Sequence, residues 1–128
     1  MTLSPRADQV RTARLVAATA ARRSGVAEEL LDDVRLAVAE ACSRAVRRHA
    51  AAGSDELVAL TFDDDDAGFT VVVVDNAGGT APSAAALDLE DPDDLSLALI
   101  AGLIETHEIG PGPTRGSTQV SMTWPRSA

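Results

Sequence analysis

The chain has 128 residues, of which 45% are apolar and only 2% aromatic; this suits one domain and argues against disorder, with a core of Ala, Val, Leu and Ile. Its net charge of -9 divides unevenly, residues 1–50 carrying nine Arg against six acids and residues 51–128 two Arg against fourteen, which suits a partner with complementary patches and argues against phosphate-backbone binding to nucleic acid. The start carries no basic segment followed by an apolar one, no run nears the roughly 20 apolar residues of a membrane span, and Cys42 alone closes no internal disulfide, so a cytoplasmic protein without membrane, disulfide or structural metal is expected.

Asp8 or Ser4 can cap a first helix over about Gln9–Arg23, with Val10, Ala13, Val16, Ala17 and Ala20 at helical spacing and Ser24-Gly25 as its stop. A second helix is predicted from about Ala27 to Ala50, its stripe running through Leu30, Val34, Ala37, Val38, Ala41, Ala45 and Val46. Glu28, Glu29, Asp32 and Asp33 stand near its positive end. Glu56–Phe62 reads as a strand, Asp63–Gly68 as a polar turn and Phe69–Asp75 as the return strand of a hairpin. The run Val71–Val74 is apolar on both faces, so this strand should be central and covered on both sides. Residues 76 to about 93 read as a loop rich in Gly, Ala, Pro and Asp, with a short helix near Ala84–Leu87. A third helix over Leu95–Thr106, a short strand near His107–Ile109, a Gly-Pro turn and a last strand Ser117–Trp124 complete the order ααββαββ. Helices gathered on one face of a mainly antiparallel sheet make an α/β two-layer sandwich.

Three stretches carry chemistry: Arg14 in the first helix, Asp33–His49 in the second, and the strand end Val74-Asp-Asn-Ala-Gly-Gly79. Together they resemble the RsbW/SpoIIAB-type anti-sigma factors, which have the Bergerat or GHKL ATPase fold, and the resemblance spans nearly the whole chain. It implies a Glu-x-x-x-Asn-Ala box on the second helix, an Asp-x-Gly-x-Gly strand end, and a mobile lid, here about residues 76–94, leading into a glycine-rich helix start. In that family ATP and magnesium are bound, the Asp reads adenine, the Asn holds magnesium, and the Glu acts on the attacking serine hydroxyl.

By this resemblance Glu40 matches the catalytic Glu as a vestigial general base, and Asp75 and Gly79 match the adenine side. The other positions depart. Arg44 stands at the magnesium position without an oxygen donor, Ala77 replaces a glycine, and Asp94 and Ser96 replace the two glycines of the later box. Asp91, Asp93 and Asp94 put negative charge where a triphosphate would lie. Glu40 and Arg44 read either as an ordinary i,i+4 surface pair or as a guanidinium folded over Glu40 in the vacated magnesium position. Cys42 reads as a core filler, and His49 and His107 as residues without special roles.

Arg14 matches the arginine with which this family contacts its sigma factor; Arg11 and Arg22 extend the same basic face, followed by Arg23, Arg47 and Arg48. The expected function is therefore an anti-sigma factor that sequesters an alternative sigma factor and is released by a STAS-domain anti-anti-sigma protein, as a homodimer, with no cofactor and no kinase step. An ATP-dependent serine kinase acting on the STAS protein, and a STAS-binding decoy that ignores sigma, are the alternatives.

Overall fold

A computed structural model describes residues 1–78, 90–104 and 106–127, without the side chains of Pro92 and Asp93. The predicted helix near Ala84–Leu87, Gly79 and most of the expected lid lie outside the described residues. In chain order the elements are β1 (Thr2–Leu3), α1 (Ala7–Ser24), a 3-10 turn (Glu28–Leu30), α2 (Leu31–Ala52), β2 (Val58–Asp65), β3 (Gly68–Asp75), α3 (Pro92–Leu103), β4 (Thr106–Pro111) and β5 (Thr118–Trp124).

The α1 helix begins without a side-chain cap: Arg6 holds the N-cap position, and Asp8 falls in the first turn, where its charge suits the positive helix end. It stops where Gly25 turns left-handed at φ 98°, freeing its N–H for the carbonyls of Ala21 and Arg22. The predicted start of the second helix is a separate 3-10 turn over Glu28–Leu30 before α2 proper. Gly53, at φ 65°, closes α2 in the same left-handed way. Ala13, Ala17 and Ala21 on α1 and Ala37, Ala41 and Ala45 on α2 are almost wholly buried. Side chains this short let two helices approach closely, which compensates for the scarcity of aromatic filling.

The sheet has the order β1-β2-β3-β5-β4, with every pairing antiparallel. Its first strand, Thr2–Leu3, was not predicted; two residues are too few for periodicity to register, and pairing with Val58 and Ala59 holds them. β2 continues to Asp65 instead of turning at Asp63: Asp63, Asp64 and Asp65 are all exposed, so their charges stay in water while their backbones still pair with Thr70, Phe69 and Gly68. β3 is central, as its apolar run predicts. Phe69, Val71, Val73 and Asp75 face the helices with Val120, Met122 and Trp124 of β5. Val72 and Val74 point the other way, in register with Thr61 and Ala59 on one side and Ser121 and Gln119 on the other. That face is half-buried and carries Thr70 hydroxyl-bonded to Thr123 at 2.8 Å; among the described residues no helix covers it, in line with helices on one side of the strand only. The result is an α/β fold with three described helices on one face of an open antiparallel sheet.

Candidate functional site

Asp75 ends β3 on the helix-facing side and is 2% exposed. The β3–β5 register sets it directly beside Thr118, whose hydroxyl donates to Oδ2. From α2, Arg44 brings Nη1 to 3.4 Å and Arg48 brings Nε to 3.2 Å from the same oxygen. The other oxygen, Oδ1, accepts the Ala77 N–H at 3.3 Å. Residues 44 and 48 are one helical turn apart, so both guanidinium groups reach the strand end from one stripe. A buried carboxylate with two cations and two further donors has its charge compensated from within the chain, Oδ2 meeting three of these partners and Oδ1 one.

The turn after Asp75 is fastened by neighbours. The Asn76 N–H donates to His49 Nε2 at 3.0 Å, and the Asn76 side-chain amide donates to the Leu57 carbonyl at 2.9 Å. Arg48 Nη2 donates to the Gly78 carbonyl at 3.0 Å, and Gly78 takes φ 89°. His49 thus has a defined part, correcting its reading as a residue without a special role. It is fully buried, and by accepting the Asn76 N–H at Nε2 it aligns the turn. His107, half-buried, places Nδ1 2.9 Å from the Ile104 carbonyl.

Glu40 lies on the next part of the α2 face and is half-buried. Its Oε2 accepts the Ser96 hydroxyl at 2.9 Å, and Ser96 Oγ accepts Arg47 Nη2 at 2.7 Å. The chain Arg47–Ser96–Glu40 joins α2 to α3. Arg44 pairs with Asp75 and not with Glu40, so neither the i,i+4 pair nor the fold-over onto Glu40 forms. β3 offers Arg44 a buried carboxylate across the layer, whereas Glu40 is engaged by α3. Asp94 is half-buried in the first turn of α3, placing a carboxylate at the helix end that would otherwise attract anions.

The donor set that magnesium-bound ATP requires is not what these residues supply. A hard cation needs oxygen ligands where Arg44 offers a guanidinium, and that guanidinium is held in place by the buried carboxylate of Asp75. The nucleotide chemistry of the fold does not fit this site as it stands.

A second feature lies between α1 and α2. Arg11 and Arg14, both exposed, line a concavity of about 440 Å³ with Val10, Ser43, Val46 and Arg47. Arg22 is elsewhere engaged, with Nε 3.4 Å from Glu28 Oε1. The structure thus brings Arg11, Arg14 and Arg47 together and leaves Arg22 apart. Thr118, Arg48 and His49 were the site members that motif reading missed. For Thr118 the signal was its place on the inward phase of the alternating strand Thr118–Trp124.

An open antiparallel sheet with helices on one face, and a polar site between α2, the end of β3 and α3, defines the GHKL type of ATPase fold. The chain belongs to the histidine kinase-like ATPase domain family, whose sequence profile matches residues 3–124. No curated protein matches it.

Proposed function

We propose that this chain is an anti-sigma factor that works by binding alone: it sequesters an alternative sigma factor in the cytoplasm and releases it to a STAS-domain antagonist, without phosphorylating that antagonist. The family includes anti-sigma factors and partner-switching kinases, which supports the class of activity. The observation that carries the binding-only branch is the guanidinium of Arg44 at the position of the magnesium ligand, paired with Asp75 together with Arg48. A magnesium ion seated there would meet a permanent cation without an oxygen donor, already paired with a buried carboxylate. Isothermal calorimetry with Mg-ATP is the test. No heat is expected, and binding in the micromolar range would transfer the reading to the serine kinase, for which Glu40 remains the candidate base.

The proposed sigma-facing surface is the basic α1–α2 concavity. Arg11, Arg14 and Arg47 surround an apolar floor of Val10 and Val46, a combination suited to an acidic side chain flanked by apolar ones. Arg14→Glu is expected to weaken sigma binding at least about thirtyfold, since truncation or reversal of a central charged contact costs upwards of about 2 kcal/mol. STAS binding with no sigma binding by the unmodified chain would point to the decoy. A homodimer through the outer sheet face belongs to the same reading. Val72→Lys, placed in the middle of that face, should shift the dimer to monomer in light scattering.

A further inference from the structure

Backbone bonds at the outer edge of the sheet fix which way β2 points its main-chain groups. The Leu60 N–H donates to the Met1 carbonyl at 2.8 Å, and the Leu60 carbonyl accepts the Met1 ammonium at 2.7 Å. In an antiparallel ladder successive residues direct their N–H and C=O to alternate sides. Phe62 and Asp64 therefore aim theirs outward, as Leu60 does, while Thr61, Asp63 and Asp65 bond to Val72, Thr70 and Gly68 of β3. On the outer side β1 reaches Val58 and Ala59, with Met1 beside Leu60. Among the described residues no backbone group meets Phe62 or Asp64 there. That stretch of β2 is an open strand edge, able to pair with one more strand.

Side chains on the two faces specify that strand. On the helix side Phe62 stacks on Phe69 and Asp64 pairs with Arg126, beside an open groove of about 540 Å³. Leu15 and Val16 of α1, 53% and 37% exposed, form its apolar wall, and Arg23 also lines it, so an inward-facing cation has no place there. On the outer face Thr61, Asp63 and Asp65 are exposed, and among the described residues neither acid has an ion-pair partner. Directly opposed residues of neighbouring strands share a face. A strand laid along this edge turns the residues opposite Phe62 and Asp64 to the groove and those opposite Asp63 and Asp65 to the carboxylates. We propose that the β2 edge takes an extended segment of a partner protein, antiparallel to β2, in which apolar and basic residues alternate. Its apolar set covers Leu15, Val16 and Phe62, its basic set meets Asp63 and Asp65, and its backbone bonds to Phe62 and Asp64. A helix bonds its own backbone groups internally and could serve neither the edge nor both faces. Charges on an edge strand deter apolar and acidic edges, and the same charges select one that brings cations. A second copy of this chain is disfavoured, since pairing two β2 edges would bring two Asp63–Asp66 runs together. None of these residues lines the concavity of Arg14, so the edge stands independently of the sigma-facing surface.

The full chain, without an N-terminal tag that would run along the same edge, is titrated with an alternating valine–lysine peptide. About seven residues span Thr61–Asp65 at about 3.3 Å per residue. Comparison peptides carry the same residues in blocks, glutamate for lysine, or N-methyl groups on either the valines, whose N–H groups meet β2, or the lysines, whose N–H groups point away. Saturable one-to-one binding is expected, at least about tenfold tighter than for the block, glutamate and valine-methylated peptides, with lysine methylation tolerated. Amide exchange at Phe62 and Asp64 should slow on binding, while Thr61 and Asp63, already bonded to β3, change little. Asp63→Asn with Asp65→Asn should weaken binding about fivefold. Asp55→Asn with Glu56→Gln, an equal loss of charge at exposed positions before β2, should not; unchanged circular dichroism verifies that the variants fold. Binding without slower exchange at Phe62 and Asp64 would overturn the proposal. So would equal affinity for the block or valine-methylated peptide, or an equal loss in the Asp55 and Glu56 variant, which would reduce the effect to net charge. Absence of binding would overturn it as well and leave the edge acids the task of keeping other strands away.

Discussion

Asp75 concentrates more of the chain's electrostatics than any other described residue, because a strand end, two helix arginines and a neighbouring threonine meet on one carboxylate. Removing it strands buried positive charge: Arg44 is 2% exposed and loses its partner on β3. Asp75→Ala is therefore expected to destabilise the fold by about 3 kcal/mol, read from the urea midpoint at unchanged slope. Asp75→Asn, which keeps the shape and loses the charge, should fall in the same direction. Cys42 gives a pH prediction. Burial pushes its thiol from 9.0 up to about 12, so the folded chain keeps the neutral form while the unfolded chain ionises first. Stability linked to this group is whole below pH 9 and is lost as pH rises toward 12. Cys42→Ala should lack that part of the alkaline decline in denaturation curves, and native Cys42 should resist thiol reagents at neutral pH.

At the scale of elements, α3 depends on a side-chain bridge that its own sequence does not announce. Ser96 both donates to Glu40 and accepts from Arg47, so the two helices are joined through one hydroxyl. Glycine at this position, as in the glycine box that the chain resembles, could not make the bridge. Ser96→Gly should lower stability by about 1–2 kcal/mol, from lost hydrogen bonds and added backbone freedom, and should speed amide exchange across α3 more than across α1. Helix α2 offers a cleaner backbone test. A Cβ on Gly53 would meet nothing within 4 Å, so Gly53→Ala isolates the strain of φ 65°, worth about 1 kcal/mol. A thermal melt that leaves this variant unchanged would show that the left-handed stop of α2 is relaxed.

For the whole molecule, the division of charge along the chain becomes a division in space. The Arg-rich first half forms α1 and α2 with their basic concavity, while the acidic second half carries the exposed Asp63–Asp66 run of the hairpin. The helices, the central β3 strand, the hairpin and the two-layer architecture were legible from periodicity and glycine stops, because these depend on local spacing and on which face is apolar. The departures of Arg44, Ala77, Asp94 and Ser96 from the resembled motif were equally legible, as they are matters of residue type. Partner choice was not. That Arg44 turns to Asp75 while Glu40 goes to Ser96, that Thr118 closes on the carboxylate and that His49 fastens the next turn all require residues 27 to 56 positions apart to meet. Such pairings depend on strand register and helix placement, which form only when the layers close over the alanine core; local sequence states which charges a residue carries, and tertiary packing decides which of its possible partners it reaches.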